Sequence, residues 1–465
     1  MMSLAEVGRL EGVVELPLKV PPGGVKRLDL DALADLLGVD DPSRIVFQQA
    51  QGEALIRVYP TNPLSSLVPA SVDDLIMRGG RIVCGRFYDG SPCRMRLFDP
   101  GTGNAQRIVI FGTTGAGKSR ALQLVLAACK RNGIVVHLAD LKEGQSVPEA
   151  TGNVATRVTT QEDAVLLLRA LVAEAHERMR RYAAMGRSGF IIGKPDRLMY
   201  GVIDEANRLL EKGAPYRDEA ASLIKELGRT GRSVGVGIIL AAQAGHLEEL
   251  GGSDTLRAML KEGEVILLRW SSGMMQQLVS DGLLPAGVHL QAIPKVIGRV
   301  KRIYRYGETP EDTDEDPNTQ GMAYHLTSAR PDAMMRFSMV GSLAPCDGFD
   351  PLILDLYGPG DAPGVPLDLD AFRDPEPDED NPEADRRPRR AVKVATAATP
   401  TPAIGIGDRI VRALKGGPLD TYNLTEAVNK DGGRVVRLGY VRNALTDLRK
   451  DGRVIGTDDR RNALA

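Results

Sequence analysis

One stretch limits the folds open to this chain more than any other: "IVIFGTTGAGKSRALQLVL", residues 108–126. An apolar run with strand character leads into a glycine-rich loop, and a helical pattern begins after it. The loop has the spacing Gly, four residues, Gly-Lys-Ser, with Gly112 first and Ser119 last. A buried strand, a glycine-rich turn and a helix in this order are typical of a βαβ unit, so the stretch predicts an α/β fold.

The same loop predicts a nucleotide site. Its glycines let successive backbone N–H groups turn toward the β-phosphate, and the following helix adds its positive N-terminal end. Lys118 would contact the β- and γ-phosphates, and the Ser119 hydroxyl would bind Mg²⁺. The predicted ATP-binding residues are Gly112, Thr113, Thr114, Gly115, Ala116, Gly117, Lys118 and Ser119.

Two further strands end in polar residues. "LMYGVIDEA" ends in Asp204 and Glu205, and "VGVGIILAAQ" ends in Gln243. Ligands of open parallel sheets bind at the carboxyl ends of the strands. We expect Asp204 to hold Mg²⁺ through water, Glu205 to polarise the attacking water, and Gln243 to sense the γ-phosphate or that water.

Arg229 and Arg232 precede the strand that ends at Gln243. An arginine that reaches the γ-phosphate of a neighbouring subunit stabilises the charge of the transition state. Either arginine fits that role, and either could equally be an ordinary surface side chain.

Composition excludes several classes. The formal net charge of −2 excludes a uniformly basic binder. The four cysteines lack the spacing of a zinc site or of a secreted disulfide framework, which favours a reducing cytosol. No apolar run reaches the about 18 residues that a membrane-spanning helix needs. These features predict a cytoplasmic chain and leave open a peripheral association with the inner face of the cell membrane.

Residues 1–78 predict a small α+β domain, with a helix in "LDLDALADLLGV" and a hairpin that turns at Gln51-Gly52. Residues 79–357 predict the nucleotide-binding domain, beginning with a hairpin at 80–100 that turns at Asp89-Gly90. Its strands "GIVVHLA", "LMYGVID", "VGVGIILAA" and "EVILLRW" are almost continuously apolar. Such strands are buried on both faces, as in a mainly parallel sheet.

Residues 358–404 are rich in Pro, Asp and Glu and poor in large apolar residues, which predicts a flexible linker. Residues 405–465 are regular again. Three short helices at 408–415, 423–430 and 438–450, followed by a hairpin through Val454, are the pattern of a winged helix.

The tail has the charge of a DNA-binding module. From Asp408 to Arg461 it carries twelve Lys and Arg against eight Asp and Glu. On the third helix the apolar stripe would face inward and leave Tyr440, Arg442, Asn443 and Arg449 exposed; Arg and Asn can read base edges in the major groove. Arg437, Lys450 and Arg453 would contact phosphates. A winged helix that binds protein instead remains an alternative.

Together these stretches resemble the FtsK/SpoIIIE family of DNA-translocating ATPases. "GTTGAGKS" has the family's form, "LADLKEGQSV" is similar to its segment after the second strand, and "AEAHERMRRYAAMG" is similar to its Arg-Tyr helix. "RTGRSVGVGIILAAQ" carries the matching Arg232 and Gln243. Leu141 and Ala242 depart from the family's usual Pro and Thr. A single motor without N-terminal membrane segments looks closest to the TraB-like conjugative translocases of actinobacterial mobile elements.

The resemblance implies a RecA-like P-loop ATPase core in a homo-hexamer that surrounds double-stranded DNA, with ATP and Mg²⁺ as cofactors and no other small-molecule substrate. Its winged helix would select the DNA for conjugative transfer or segregation. Two alternatives stay open: a protein-export coupling ATPase of the type VII secretion type, and a DNA-binding regulator that ATP switches.

Overall fold

A computed structural model of the 465-residue chain describes residues 11–21, 28–50, 52–243, 262–269, 290–298, 318–373, 406–430, 438–457 and 461–464. The chain divides into two compact units, residues 1–375 and 376–465. Within the described ranges, no helix combines the length and the apolar character needed to cross a membrane.

The first unit begins with a three-stranded antiparallel sheet and one helix. Its elements are β1 (Val14–Lys19), α1 (Leu30–Leu37), β2 (Ile45–Ala50) and β3 (Glu53–Val58), with strand order β1-β3-β2. The Asp29 side chain caps the start of α1, and Gly38, with φ of 65°, ends it. The helix and the β2–β3 hairpin confirm the predicted elements, whereas β1 was not predicted.

The rest of the first unit is a large α/β fold. Its elements are α2 (Val72–Leu75), β4 (Arg81–Phe87), β5 (Pro92–Arg96), β6 (Phe98–Asp99), β7 (Asn104–Ala105), β8 (Arg107–Gly112), α3 (Lys118–Arg131), β9 (Val135–Asp140), β10 (Thr156–Val158), α4 (Gln161–Ala184), β11 (Met199–Asp204), α5 (Ala206–Leu210), α6 (Arg217–Thr230), β12 (Val236–Ala242), β13 (Glu264–Leu268), β14 (Met322–His325), β15 (Met334–Phe337) and α7 (Pro351–Tyr357).

Ten of these strands form one mixed sheet, in the order β10-β9-β11-β12-β8-β13-β14-β15-β4-β5. The six from β10 to β13 run parallel. Every residue of β8, β9, β11, β12 and β13 is buried, as the continuous apolar runs predict. The remaining four strands pair antiparallel. The predicted hairpin at 80–100 is part of the main sheet, because β4 pairs with β15.

Helix α4 packs on this sheet through one apolar stripe. Ala164, Leu167, Leu168, Leu171 and Ala175 are all completely buried. The Thr160 hydroxyl caps the first turn by accepting a hydrogen bond from the backbone nitrogen of Asp163.

Residues 358–373, assigned by composition to the flexible linker, instead lie against the first unit. Lys130 donates to the carbonyl oxygens of Gly358 and Gly360 at 3.0 and 2.6 Å. Leu367 and Leu369 pack against the large core. The proline- and glycine-rich stretch is ordered here because basic side chains of α3 and α4 bind its backbone carbonyls, and composition carries no signal of such partners.

The second unit contains α8 (Ile406–Leu414), α9 (Thr421–Lys430), α10 (Leu438–Lys450) and an antiparallel pair, β16 (Val454–Gly456) and β17 (Asn462–Leu464). Its small core includes Val441, Leu445 and Leu448 from α10, with Ala444 packed beside them. The three helices and the hairpin occur at the predicted places; their assignment as a winged helix stays a prediction.

Candidate nucleotide site

The glycine-rich loop joins the end of β8 to the start of α3. Gly115 and Gly117 have φ of 73° and 100°, a region that residues with a side chain rarely adopt. A Cβ on Gly117 would lie 2.9 Å from the backbone nitrogen of Gly321. That same nitrogen donates to the Ala116 carbonyl oxygen at 2.9 Å. The segment before β14 therefore holds the loop in place, and only glycine fits at position 117.

The predicted polar residues meet beside this loop. Because β11, β12 and β8 are parallel and adjacent, they end at one edge of the sheet. Lys118 Nζ lies 2.6 Å from Glu205 Oε1 and 3.4 Å from Asp204 Oδ1. Gln243 Nε2 donates to Glu205 Oε2 at 2.8 Å, and Gln243 Oε1 accepts from the Thr114 hydroxyl at 3.4 Å. The structure thus links the loop, both acids and Gln243 in one network.

Asp204 has the environment of a cation ligand. Its side chain is completely buried, and within the described part of the chain its Oδ2 has no hydrogen-bond partner. Burial raises the pKa of this carboxyl group, and the nearby Lys118 ammonium opposes the rise. Mg²⁺ prefers carboxylate and hydroxyl oxygens and commonly binds one or two carboxylates together with substrate phosphates. Asp204, with the Ser119 hydroxyl in the first turn of α3, fits that ion.

Glu205 follows β11 with φ of 53°, in the left-handed region. A non-glycine residue seldom adopts this conformation, and such strain concentrates at functional sites. Asn207, two residues later, accepts a hydrogen bond from the Gln243 backbone nitrogen at 3.4 Å and so ties the two strand ends together. Sequence reasoning missed Asn207 because a lone asparagine in a short helix carries no pattern.

Sequence reasoning also missed Arg269, which follows β13 with φ of 45°. Its side chain is only 4% exposed, and one Nη lies 3.6 Å from where a Cβ on Gly115 would be. Its Nε donates to the Thr319 hydroxyl at 3.2 Å, while Nη2 has no hydrogen-bond partner among the described residues. Burial lowers the pKa of this guanidinium group. Arg269 is therefore a buried cation beside the glycine-rich loop, and its hydrogen-bond partner there is a neutral hydroxyl.

Arg229 and Arg232 lie elsewhere. Together with Arg107 and Glu262 they line a cleft of about 440 Å³. Arg229 is exposed, whereas burial, and then the charge of Arg107, lower the pKa of the half-buried Arg232. Arg107, which lines the cleft, is the first residue of β8, and the glycine-rich loop begins where β8 ends. The six-residue strand therefore separates the cleft from the loop by roughly 17 Å. Neither arginine belongs to the nucleotide site of its own chain.

Three residues of the family-like stretches, Asp140, Arg181 and Tyr182, have structural partners outside the site. Asp140 is fully buried and accepts hydrogen bonds from the Val147 backbone nitrogen and from Arg157. Arg181 and Tyr182 both bind the Asp196 carboxylate, at 2.9 and 2.7 Å.

The predicted DNA-contacting residues are described in part. Arg437 lies outside the described residues, and so do the side chains of Tyr440, Arg442 and Asn443 in α10. Arg449 is exposed and donates to Asn462 Oδ1 at 2.7 Å, which joins α10 to β17. Lys450 and Arg453 are exposed.

Comparisons with known proteins give distant similarities. Residues 105–314, fewer than half of the chain, match the family model for the Schlafen group 3 DNA/RNA helicase domain. Among solved structures, the pCW3 conjugation coupling protein TcpA, in its monomer form with ATPgS, is 15% identical with a TM-score of 0.46, over 70% of this chain and 84% of TcpA. The cytoplasmic domain of the Thermomonospora curvata type VII secretion ATPase EccC is 19% identical with a TM-score of 0.45, over 66% of this chain and 34% of EccC. The EssC ATPases 2 and 3 of Geobacillus thermodenitrificans are 15% identical with a TM-score of 0.41, over 63% and 49%. A search of curated proteins by sequence finds no match.

Proposed function

We propose that this chain binds and hydrolyses ATP at the loop of residues 112–119. One observation carries the proposal: Lys118, Glu205, Gln243 and Thr114 form a connected network at the ends of adjacent parallel strands. A phosphate-binding lysine and a candidate general base then lie within one hydrogen bond of each other.

Each residue has a distinct task in this reaction. The loop amides and Lys118 bind the phosphates, and Asp204 and Ser119 hold Mg²⁺, which neutralises charge on the β- and γ-phosphates. Glu205 orients the attacking water and accepts its proton. Gln243, which binds Glu205 and Thr114, positions that water relative to the γ-phosphate.

The proposed output of this cycle is movement along double-stranded DNA by a homo-hexamer in the cytoplasm. Support comes from two features. The second unit is net positive on a net acidic chain, which suits a DNA-reading winged helix. Arg229 and Arg232 lie about one strand length from their own phosphate loop, where only a neighbouring subunit could use them as fingers.

ATPase activity is tested on purified full-length chain. Lys118→Ala should lose nucleotide binding and turnover. Glu205→Gln should lose turnover but retain nucleotide, because the amide keeps the size of the side chain, leaves the loop and Lys118 in place, and cannot accept the proton. Glu211→Gln, an exposed acid at the end of α5, is the matched control and should hydrolyse normally. Normal turnover by Glu205→Gln would refute the assigned base.

The DNA motor is tested by measuring ATP hydrolysis with and without duplex DNA, and by displacement of a triplex-forming strand. We expect stimulation and displacement. Deleting residues 405–465 should remove sequence preference and leave part of the motor activity. ATP hydrolysis that ignores DNA and displaces nothing would leave the ATPase in place and overturn the translocase. A sequence preference that survives the deletion would refute the role of the tail.

A further inference from the structure

A second group of chemically active side chains converges in the antiparallel half of the sheet. Cys84 lies on β4, Cys93 on β5 and His325 on β14, and all three are buried. Glu264, the first residue of β13, is also buried beside them. Strands β5 and β14 are not neighbours in the sheet, so the sheet curls enough to bring their side chains together on one face.

The spacing of the ligand atoms is compatible with a tetrahedral metal ion. Sγ of Cys93 lies 3.5 Å from Nδ1 of His325. One ligand atom from each of Cys84, Cys93 and His325 lies within 4.8 Å of the other two. For Zn–S of about 2.3 Å and Zn–N of about 2.0 Å, tetrahedral geometry separates sulfur and nitrogen by about 3.5 Å. The three atoms are therefore close enough to share one ion.

The surroundings favour metal binding over catalysis by a thiol. His325 Nε2 lies 2.6 Å from Glu264 Oε2, so the carboxylate binds that nitrogen and leaves Nδ1 facing Cys93 Sγ. Metal-binding histidines almost always donate their second ring nitrogen in this way. Cys84 and Cys93 are completely buried, which leaves no approach for a substrate or an oxidant.

We propose that Cys84, Cys93 and His325 bind one structural zinc ion, with Glu264 as the residue that positions His325. Two thiolates balance the charge of Zn²⁺, so the ion adds no net charge to a buried place. The three side chains fill three of the four positions around zinc. Structural sites are closed by protein ligands, so a backbone carbonyl in this buried group, such as that of Cys93 beside Cys84 Sγ, would complete the set. The ion would fasten the hairpin of β4 and β5 to the strands that follow the nucleotide-binding half.

Elemental analysis of the full-length chain, expressed with added zinc and purified without chelators, tests this site. We expect about one zinc per chain, and a loss of most of it in Cys93→Ser and in His325→Asn. Cys129→Ser is the matched control, because Cys129 is another completely buried cysteine in α3 and should not change the zinc content. Lys118→Ala should also keep the zinc, which separates this proposal from the nucleotide site.

Cobalt titration of the unmodified chain keeps the test independent of whether a variant folds. Thiolate-bound Co²⁺ gives near-ultraviolet charge-transfer absorption, and Zn²⁺ should remove that absorption. Glu264→Gln should retain the absorption but bind the ion about 10- to 100-fold more weakly. Zinc-free protein with no such absorption, or recovery of Cys84 and Cys93 as a disulfide, would overturn the proposal.

Discussion

Replacing Arg269 with methionine should weaken nucleotide binding without destabilising the fold. Methionine keeps much of the length and apolar volume of the side chain and removes its charge. Arg269 has φ of 45°, and methionine tolerates that angle no better and no worse than arginine, so the backbone strain should cancel from the comparison.

The magnitudes follow from the contacts. The substitution removes one hydrogen bond, from Nε to the Thr319 hydroxyl, worth about 1 kcal/mol. Thr319 still donates to the Pro294 and Lys295 carbonyl oxygens, so its hydroxyl stays paired. Relief from burying a cation offsets this loss, and we expect the free energy of unfolding to change by less than about 1 kcal/mol in either direction. A hydrogen bond from a guanidinium to phosphate contributes about 1.5 to 3 kcal/mol, so the Kd for ATP should rise about 10- to 150-fold.

Arg178→Met is the control for loss of a buried arginine. Arg178 is 3% exposed and donates to the carbonyl oxygens of Arg197, Val234 and Gly235, at the sheet edge opposite the phosphate loop. Its removal leaves the buried Val234 carbonyl without this donor and breaks the ion pair with Glu174 Oε1 at 2.8 Å, which should together cost about 3 kcal/mol. Denaturant unfolding measures stability, and a fluorescent ATP analogue measures affinity. If Arg269→Met unfolds as easily as Arg178→Met and binds ATP normally, Arg269 is structural and the reasoning fails.

Two further predictions concern the core of the first unit. Burial lowers the pKa of His137 to about 4, so between about pH 6.5 and 4 the unfolded chain takes up a proton that the folded chain does not, and this group's contribution to stability falls by up to about 3 kcal/mol. Unfolding at several pH values should therefore show the stability difference between the wild type and His137→Gln shifting in favour of the variant as pH falls; a difference that does not vary with pH contradicts the assignment. Gly201→Ala should cost about 1 to 3 kcal/mol, because its Cβ would lie 2.4 Å from Leu171 Cδ1 in the core. Gly189→Ala, which meets only a carbonyl oxygen at 4.0 Å, should unfold like the wild type, and equal stabilities of the two variants would refute the packing argument.

The sequence correctly predicted the elements that depend on residues close together in the chain. The glycine spacing placed the loop before α3, and continuous apolar runs placed β8, β11 and β12 in the parallel half of the sheet. The carboxyl ends of parallel strands lie at one edge of a sheet. The contacts of Glu205 with Lys118 and Gln243 could therefore be predicted from the residues that follow β8, β11 and β12.

The features that sequence missed depend on contacts distant in the chain. Cys93 and His325 are 232 positions apart, and Arg269 and Thr319 are 50 apart. No periodicity links such residues, because their proximity is set by the strand order in the antiparallel half of the sheet. The ordered stretch after α7 was missed for the related reason that its partners, such as Lys130, lie on elements far upstream.

The network around Glu205 suggests how the proposed ATPase could couple binding to hydrolysis. Both carboxylate oxygens are engaged, Oε1 by Lys118 at 2.6 Å and Oε2 by Gln243 at 2.8 Å. Because both oxygens already accept hydrogen bonds, Glu205 has fewer lone pairs left to bind and orient the attacking water. A triphosphate in the loop attracts Lys118 to its phosphates and thereby releases Oε1. Gln243 also accepts a hydrogen bond from Thr114 of the loop. A movement of the loop around the phosphates would therefore shift Gln243 and change its hydrogen bond to Glu205 Oε2. Glu205 would then be free to activate water only when a triphosphate is bound in the loop, and not in the nucleotide-free stage of the cycle.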